Sequence, residues 1–270
     1  MPLEFDVRPS DSPFVECVWR SVSSEIDRFT SVASAHWSLV VSRQSGRVEV
    51  SVQGPETRGS TAPVPQDATF LGIRFRLGVG LHDLPVHRLV DDHLALGSAA
   101  AGAFWWKGTA WHRPTFDNAE GLVAALVRAD LLANDPLIDQ VIGGGRPAAS
   151  TRTVQRRFQA RTGLTYATVR QIERARQAVL RLRDGNRPAD VAYELGYYDQ
   201  SHLTNALRLF VGHTPAVLGD RDRTDPLSFL SKTTLDRPPT LALDPLPEDE
   251  RQHDAKRSPG HDDHPQRTVG

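Results

Sequence analysis

Arg187 to Pro215, RPADVAYELGYYDQSHLTNALRLFVGHTP, reads as a helix, a glycine-centred turn and a second helix. Pro188 can open the first helix, where a missing N–H costs nothing, and Val191, Ala192 and Leu195 recur along one apolar face. Gly196 supplies the backbone freedom for a sharp turn. Asp199 is placed to cap a second helix whose Leu203, Leu207 and Phe210 turn inward at steps of four and three. Gln200, Ser201, His202 and Asn205 are then left on the outer side, with side chains suited to the edges of bases.

The same plan precedes it. Ser150 can cap a helix over 151–162, TRTVQRRFQART, in which Val154 and Phe158 face the core while Arg152, Gln155 and Arg156 lie opposite, and Gly163 ends it. Arg pairs with guanine and Gln with adenine in the major groove, so these three are the expected base readers; the competing reading is a merely solvated face. Between the units runs TYATVRQIERARQAVLRLRDG (165–185), where Val169, Ile172, Ala175, Val179 and Leu182 form one apolar stripe before a stop at Asp184-Gly185. A long helix is thus predicted to join two similar half-domains.

Taken together, TRTVQRRFQARTGLT, IERARQA and VAYELGYYDQSHLTNALRLFVGHTP resemble the tandem helix-turn-helix domain of AraC/XylS-type transcription regulators, over roughly residues 135 to 218. The resemblance is specific because two units, a connecting helix and a closing Thr-Pro must occur in one order. The first half of the chain, through AHWSLVV, GPET, FLGIRFRLG and FWWKGTAWHRPTFDNAE, resembles the amino-terminal domain of an actinobacterial-type branch of that family. The resemblance implies a promoter-DNA partner, contact with RNA polymerase, a small-molecule effector and a homodimer, with activator and repressor both open. The chain departs from the family at four places. PLIDQVIGGGRPAAS (136–150) is interrupted by glycines and Pro147, Asn205 stands where many relatives have Arg, Arg157 stands where Leu or Met is usual, and AVLGDRD follows the Thr-Pro.

The net charge of −1 hides an asymmetry that agrees with this reading. Residues 1–145 carry −5, residues 146–223 carry +7 and residues 224–270 carry −3, so the positive charge sits on the helix-turn-helix segment. All 14 basic residues of that segment are arginine, whose guanidinium forks bond phosphate or guanine in pairs; a codon bias toward arginine gives the same enrichment. Cys17 is the lone cysteine, which excludes an intramolecular disulfide or an all-cysteine metal cluster. It also lacks the context of an alkyl-accepting cysteine. No run approaches the roughly 18 apolar residues of a membrane span, and MPLEFDVRPS lacks the regions of a signal peptide, so a cytoplasmic protein with no membrane partner is expected.

Upstream, HWSLVVS, a Ser45-Gly46 turn, the alternating RVEVSV and TFLGIRFRL predict an antiparallel β domain over about 14–112, while SVQGPETRGSTAPVPQD (51–67) reads as loop. Its outline resembles the cupin-like sensor half of AraC-type proteins, with barrel and sandwich both open. A helix is predicted from Asp117 or Asn118 through Leu132, as connector, dimer contact or simple cover for the sheet. Beyond about residue 222, proline and charge without periodicity predict a disordered tail.

Trp105, Trp106, Trp111 and His112 form an aromatic cluster that either lines a ligand pocket or fills the core. His36, His82, His87 and His93 lack the spacing of a metal site, GGGRP and LGVG lack the register of a phosphate loop, and no nucleophile elbow occurs. His202 could alternatively cap or pack locally. The sequence therefore predicts an α+β chain without catalytic residues, metal or cofactor. It divides into a β-rich cupin-like or sandwich sensor or dimerisation domain (1–115), a connecting helix (116–133), an all-α AraC-type DNA-binding domain (134–222) and a disordered carboxyl-terminal tail (223–270). A metal-dependent cupin-type enzyme with a passenger DNA-binding domain is the alternative.

Overall fold

The computed structural model describes residues 4–23, 28–63, 66–99, 102–220 and Leu227. The first half is β-rich, as expected. Its strands are β1 (Glu4–Pro9), β2 (Val15–Ser23), β3 (Arg28–Ser31), β4 (Ser38–Gln44), β5 (Arg47–Gln53), β6 (Ser60–Pro63), β7 (Ala68–Phe75), β8 (Val79–Leu81), β9 (His93–Ser98), β10 (Ala103–Trp106) and β11 (Thr109–His112), with β12 (Leu132–Asn134) further on. Eight of them form one sheet in the order β1-β2-β7-β4-β5-β9-β10-β11, antiparallel at each pairing. The β4–β5 hairpin turns on Ser45 and Gly46, both at positive φ (49° and 78°), the handedness that matches the twist of the flanking strands.

The inner face of this sheet buries Val18, Leu39, Val52, Ile73 and Phe75, with Trp37 stacked on Phe75 at 3.8 Å and its indole N–H donating to the Val79 carbonyl at 2.8 Å. Helix α1 (Ala119–Arg128) closes the core with Ala119, Leu122, Val123 and Leu126. This helix is shorter than the sequence suggests. Asp130 takes a left-handed φ of 59° and Leu131 N–H bonds back to the Leu126 carbonyl, so the chain reverses and Leu132 enters β12, paired with β8. Helical periodicity continues past that point because Leu132 is buried in the same core, on a strand. The stretch read as a loop over 51–67 is also partly strand. β5 runs through Gln53, and β6 pairs with β3 from Arg28↔Pro63 to Ser31↔Ser60, a partnership that a Gly, Pro, Ser and Thr composition conceals.

Arg8 of β1 ties the sheet edge to α1, donating to both oxygens of Glu120 (2.6 and 2.8 Å) and to the Phe116 carbonyl. Those bonds, with one from Ser10, hold the Glu120 carboxyl down at about 2. The lowered value means that the stabilisation is present above the ordinary carboxylate range, near pH 4.5, and is lost as pH falls toward 2. After allowance for solvent screening, Glu120→Gln is expected to cost about 1 kcal/mol at pH 7 and little at pH 2. A melt difference that does not shrink on acidification would contradict this.

The second half is helical: α2 (Pro136–Ile142), α3 (Thr151–Thr162), α4 (Tyr166–Arg183), α5 (Pro188–Glu194), α6 (Gln200–Phe210) and α7 (Pro215–Leu218). The glycine-interrupted segment does form a helix over its first seven residues, opened by Pro136 and capped by Asp135, which accepts from Leu137 N–H at 3.1 Å. The stripe Val169, Ile172, Ala175, Val179 and Leu182 is buried throughout and packs with Phe158, Leu203, Leu207 and Phe210 in one core. Val32, Ala33, Ala35 and Leu77 of the β half belong to that same core, so the two halves share apolar interior. The tail read as disordered lies outside the described residues except for Leu227, which is buried and bridges Thr30. No helix of the described residues is long and apolar enough to cross a membrane.

Candidate nucleic-acid interface

Each candidate reading helix begins on the cap its sequence calls for. The Ser150 hydroxyl accepts from Thr153 N–H at 3.3 Å, and the Asp199 carboxylate accepts from His202 N–H at 2.7 Å. Gly163 ends α3 at φ 78°, and Gly196, at φ 69°, makes the turn between α5 and α6 in a conformation that side chains with a Cβ rarely adopt. With Val154 and Phe158 buried, α3 presents Arg152, Gln155 and Arg156 to solvent. With Leu203, Leu207 and Phe210 buried, α6 presents Gln200, Ser201, His202 and Asn205. His202 is partly committed: its Nδ1 accepts from Tyr198 N–H at 3.3 Å and its ring meets Tyr197 edge-on at 5.3 Å.

Several residues that hold these helices escaped the sequence reading. Asp135, only 2% exposed, both caps α2 and receives three hydrogen bonds from Arg157 at 2.8 to 3.1 Å, with Arg161 3.7 Å away. Arg157 therefore pins α3 to the start of α2. Arg174 of α4 donates to the Gly196 carbonyl at 3.2 Å and lies 4.2 Å over the Tyr197 ring, bracing the second turn, and Arg181 pairs with Glu194 to fasten α5. Tyr193 and Tyr198 stand 87% and 92% exposed beside that turn. Aromatic residues in a GYYDQ run look like core from sequence; only the depth of Tyr197 against Tyr198 separates them.

The aromatic cluster of the β half is not one site. Alternation along β10 buries Trp106 beside Phe104 and turns Trp105 outward, 49% exposed; Trp111 pairs with Phe104 and is half-buried, whereas His112 is exposed. The four residues fall on two faces of the sheet. None of them lines the open cavity of about 530 Å³ whose walls include Gln53, Glu56, Arg58, Asp91, Asp92 and His93. Among the described residues no group of three or more His, Cys, Asp or Glu side chains is placed to hold a metal.

Where the two halves meet, charge is buried. His36 Nδ1 lies 2.9 Å from the Phe75 carbonyl, which only accepts, so that nitrogen carries the hydrogen; Glu16 is 3.2 Å away. Burial pushes the Glu16 carboxyl up, but His36, Arg74 and Arg176 outweigh it and hold the group below its ordinary range. Arg176, 2% exposed on α4, reaches across to donate to the Ala33 carbonyl at 3.2 Å. Beside this cluster burial lifts the Cys17 thiol to about 12. At neutral pH the thiolate is then about 10³-fold scarcer than in the unfolded chain. Native protein at pH 8 is accordingly expected to resist alkylation by iodoacetamide and to react once denatured, whereas equal rates in both states would contradict the burial.

Residues 146–221 match the model of the family described as a helix-turn-helix domain. None of the curated protein sequences matches the chain. Solved structures of ToxT from Vibrio cholerae align loosely. One at 1.65 Å resolution is 7% identical over 80% of this chain and 97% of its own, with a TM-score of 0.36. An apo variant is 8% identical over 77% and 97%, at 0.37. A form with bound unsaturated fatty acid is 9% identical over 80% and 94%, at 0.29. The matched segment holds α3 to α7 and is similar to a helix-turn-helix domain. That segment follows a β-rich amino-terminal half.

Proposed function

We propose that the chain is a sequence-specific transcription regulator in which α3 and α6 read adjacent major-groove segments of promoter DNA. The observation that supports it most is the repetition of one arrangement: two capped helices, each with a buried apolar face and an exposed polar one, joined by the arginine-rich α4. Arg152, Gln155 and Arg156 supply donors for guanine and adenine edges on one helix, and Gln200, Ser201 and Asn205 supply smaller groups on the other. The Tyr193 and Tyr198 hydroxyls, fully in solvent beside α6, are suited to the flanking phosphates, which fix register without carrying sequence. On straight DNA the two insertions lie about 34 Å apart; a shorter span between the helices bends the duplex.

Selection of random-sequence duplexes by the full-length protein tests this reading. Enrichment of a site with two blocks of specified bases is expected. If no duplex is enriched and none is retained at low salt, the DNA reading fails.

A further inference from the structure

An α-helix leaves its last carbonyls without intrahelical partners. At the end of α6 two of these are taken by the β half: Gly59 N–H donates to the Leu209 carbonyl at 2.9 Å and Ala33 N–H to the Phe210 carbonyl at 2.8 Å. The Thr30 hydroxyl adds a bond to His213 Nε2 at 3.1 Å, just beyond the helix. The approach is close enough to exclude a side chain, since a Cβ on Gly59 would stand 2.4 Å from the Val211 carbonyl carbon and 2.6 Å from Gly212 N. The end of α3 is held in a comparable way. A Cβ on Gly163 would stand 3.0 Å from Val90 Cγ2 and 3.2 Å from the His87 backbone, and the Arg161 side chain lies against Gly80 of β8.

Both grips fall on the carboxyl ends of the helices, while the groups that would read bases remain exposed. The β half therefore leaves the reading surface open. It also completes a closed mechanical circuit: α4 joins the two units on one side, and the β half joins their far ends on the other. A single connecting helix permits its two flanking units to swing about its ends, whereas a second connection removes that freedom.

We infer that Ala33 and Gly59 are specificity-determining residues for spacing. By bracing α6 against α3 through the β half, they set the distance and angle between the two recognition helices, and hence the number of base pairs allowed between the two blocks of a binding site. The inference rests on the DNA-reading function proposed above. Each base pair inserted between the blocks displaces the second by roughly 3.4 Å and turns it by roughly a tenth of a helical turn, which a braced pair of helices cannot follow.

The test uses the full-length protein and duplexes in which the two selected blocks are moved apart or together by one or two base pairs. The wild type is expected to lose at least about tenfold in affinity per base pair of displacement, equivalent to about 1.4 kcal/mol. Gly59→Ala, which forces the 57–60 segment off α6, and Ala33→Pro, which removes the donated N–H, are expected to flatten that profile to within about threefold. Both should keep affinity for a single block, and amide exchange at the end of α6 should quicken. Thr30→Val, which loses one hydrogen bond and little else, gives an intermediate profile and serves if the other two variants do not fold. Steep profiles in the variants, or a flat one in the wild type, overturn the inference while leaving DNA reading intact. Absence of any duplex binding by the wild type instead removes the reading on which it rests.

Discussion

Phe158→Ala is expected to lower the stability of the helical half by about 3 to 5 kcal/mol, the range for emptying a large aromatic site in a packed core. Phe158 is fully buried, meets Tyr166 edge-on at 5.3 Å, and shares its core with Val169, Ile172 and Leu203. Its ring partner Tyr166 opens α4, so the cavity lies between two helices and cannot collapse within α3 alone. Two residues away, Arg156 is exposed on the opposite side of α3. Arg156→Ala should leave the melting temperature nearly unchanged, weaken specific binding by about 1 to 3 kcal/mol and relax the preference at one base position. Thermal melts and affinities for the selected site, measured on both variants, check the pair. An early melt for Arg156→Ala beside a normal one for Phe158→Ala would reverse the orientation assigned to α3.

The largest effect is expected from salt. Arg146, Arg152, Arg156, Arg183, Arg187 and Arg208 are all exposed on the helical half. If these six neutralise phosphates, the logarithm of affinity falls with the logarithm of salt at a slope near −5, which is about 10³-fold between 50 and 200 mM. Titration of a labelled duplex across that range measures the slope. A slope shallower than −2 would mean that the arginine face is turned away from the duplex.

What could be read from the chain alone was local in sequence. The caps at Ser150 and Asp199, the stop at Gly163, the turn at Gly196 and the buried stripe of α4 each depend on residues within one or two helical turns, and all are present. The outward side chains of α3 and α6 followed from the same periodicity. Everything missed depends on partners far away along the chain. The β3–β6 pairing, the entry of Leu132 into a strand beside Leu81, the docking of Arg157 on Asp135 and the reach of Arg176 to Ala33 join residues 22 to 143 positions apart or strands with no alternating pattern. The aromatic cluster at 105–112 failed for a simpler reason. Adjacent residues on a strand face opposite ways, so density in sequence is not proximity on one surface.

The apolar interior common to the two halves bears on how they can be recombined with other proteins. A chimera joined at residue 134, carrying a foreign amino-terminal half, would leave the helical half without Val32, Ala33, Ala35 and Leu77, and would strand the buried Arg176 without the carbonyl it binds. Exchange of either half of this protein is therefore not a matter of choosing a linker. The segment 30–35 travels functionally with the helices although it is encoded more than a hundred residues before them, and a graft that respects the structure must carry it along.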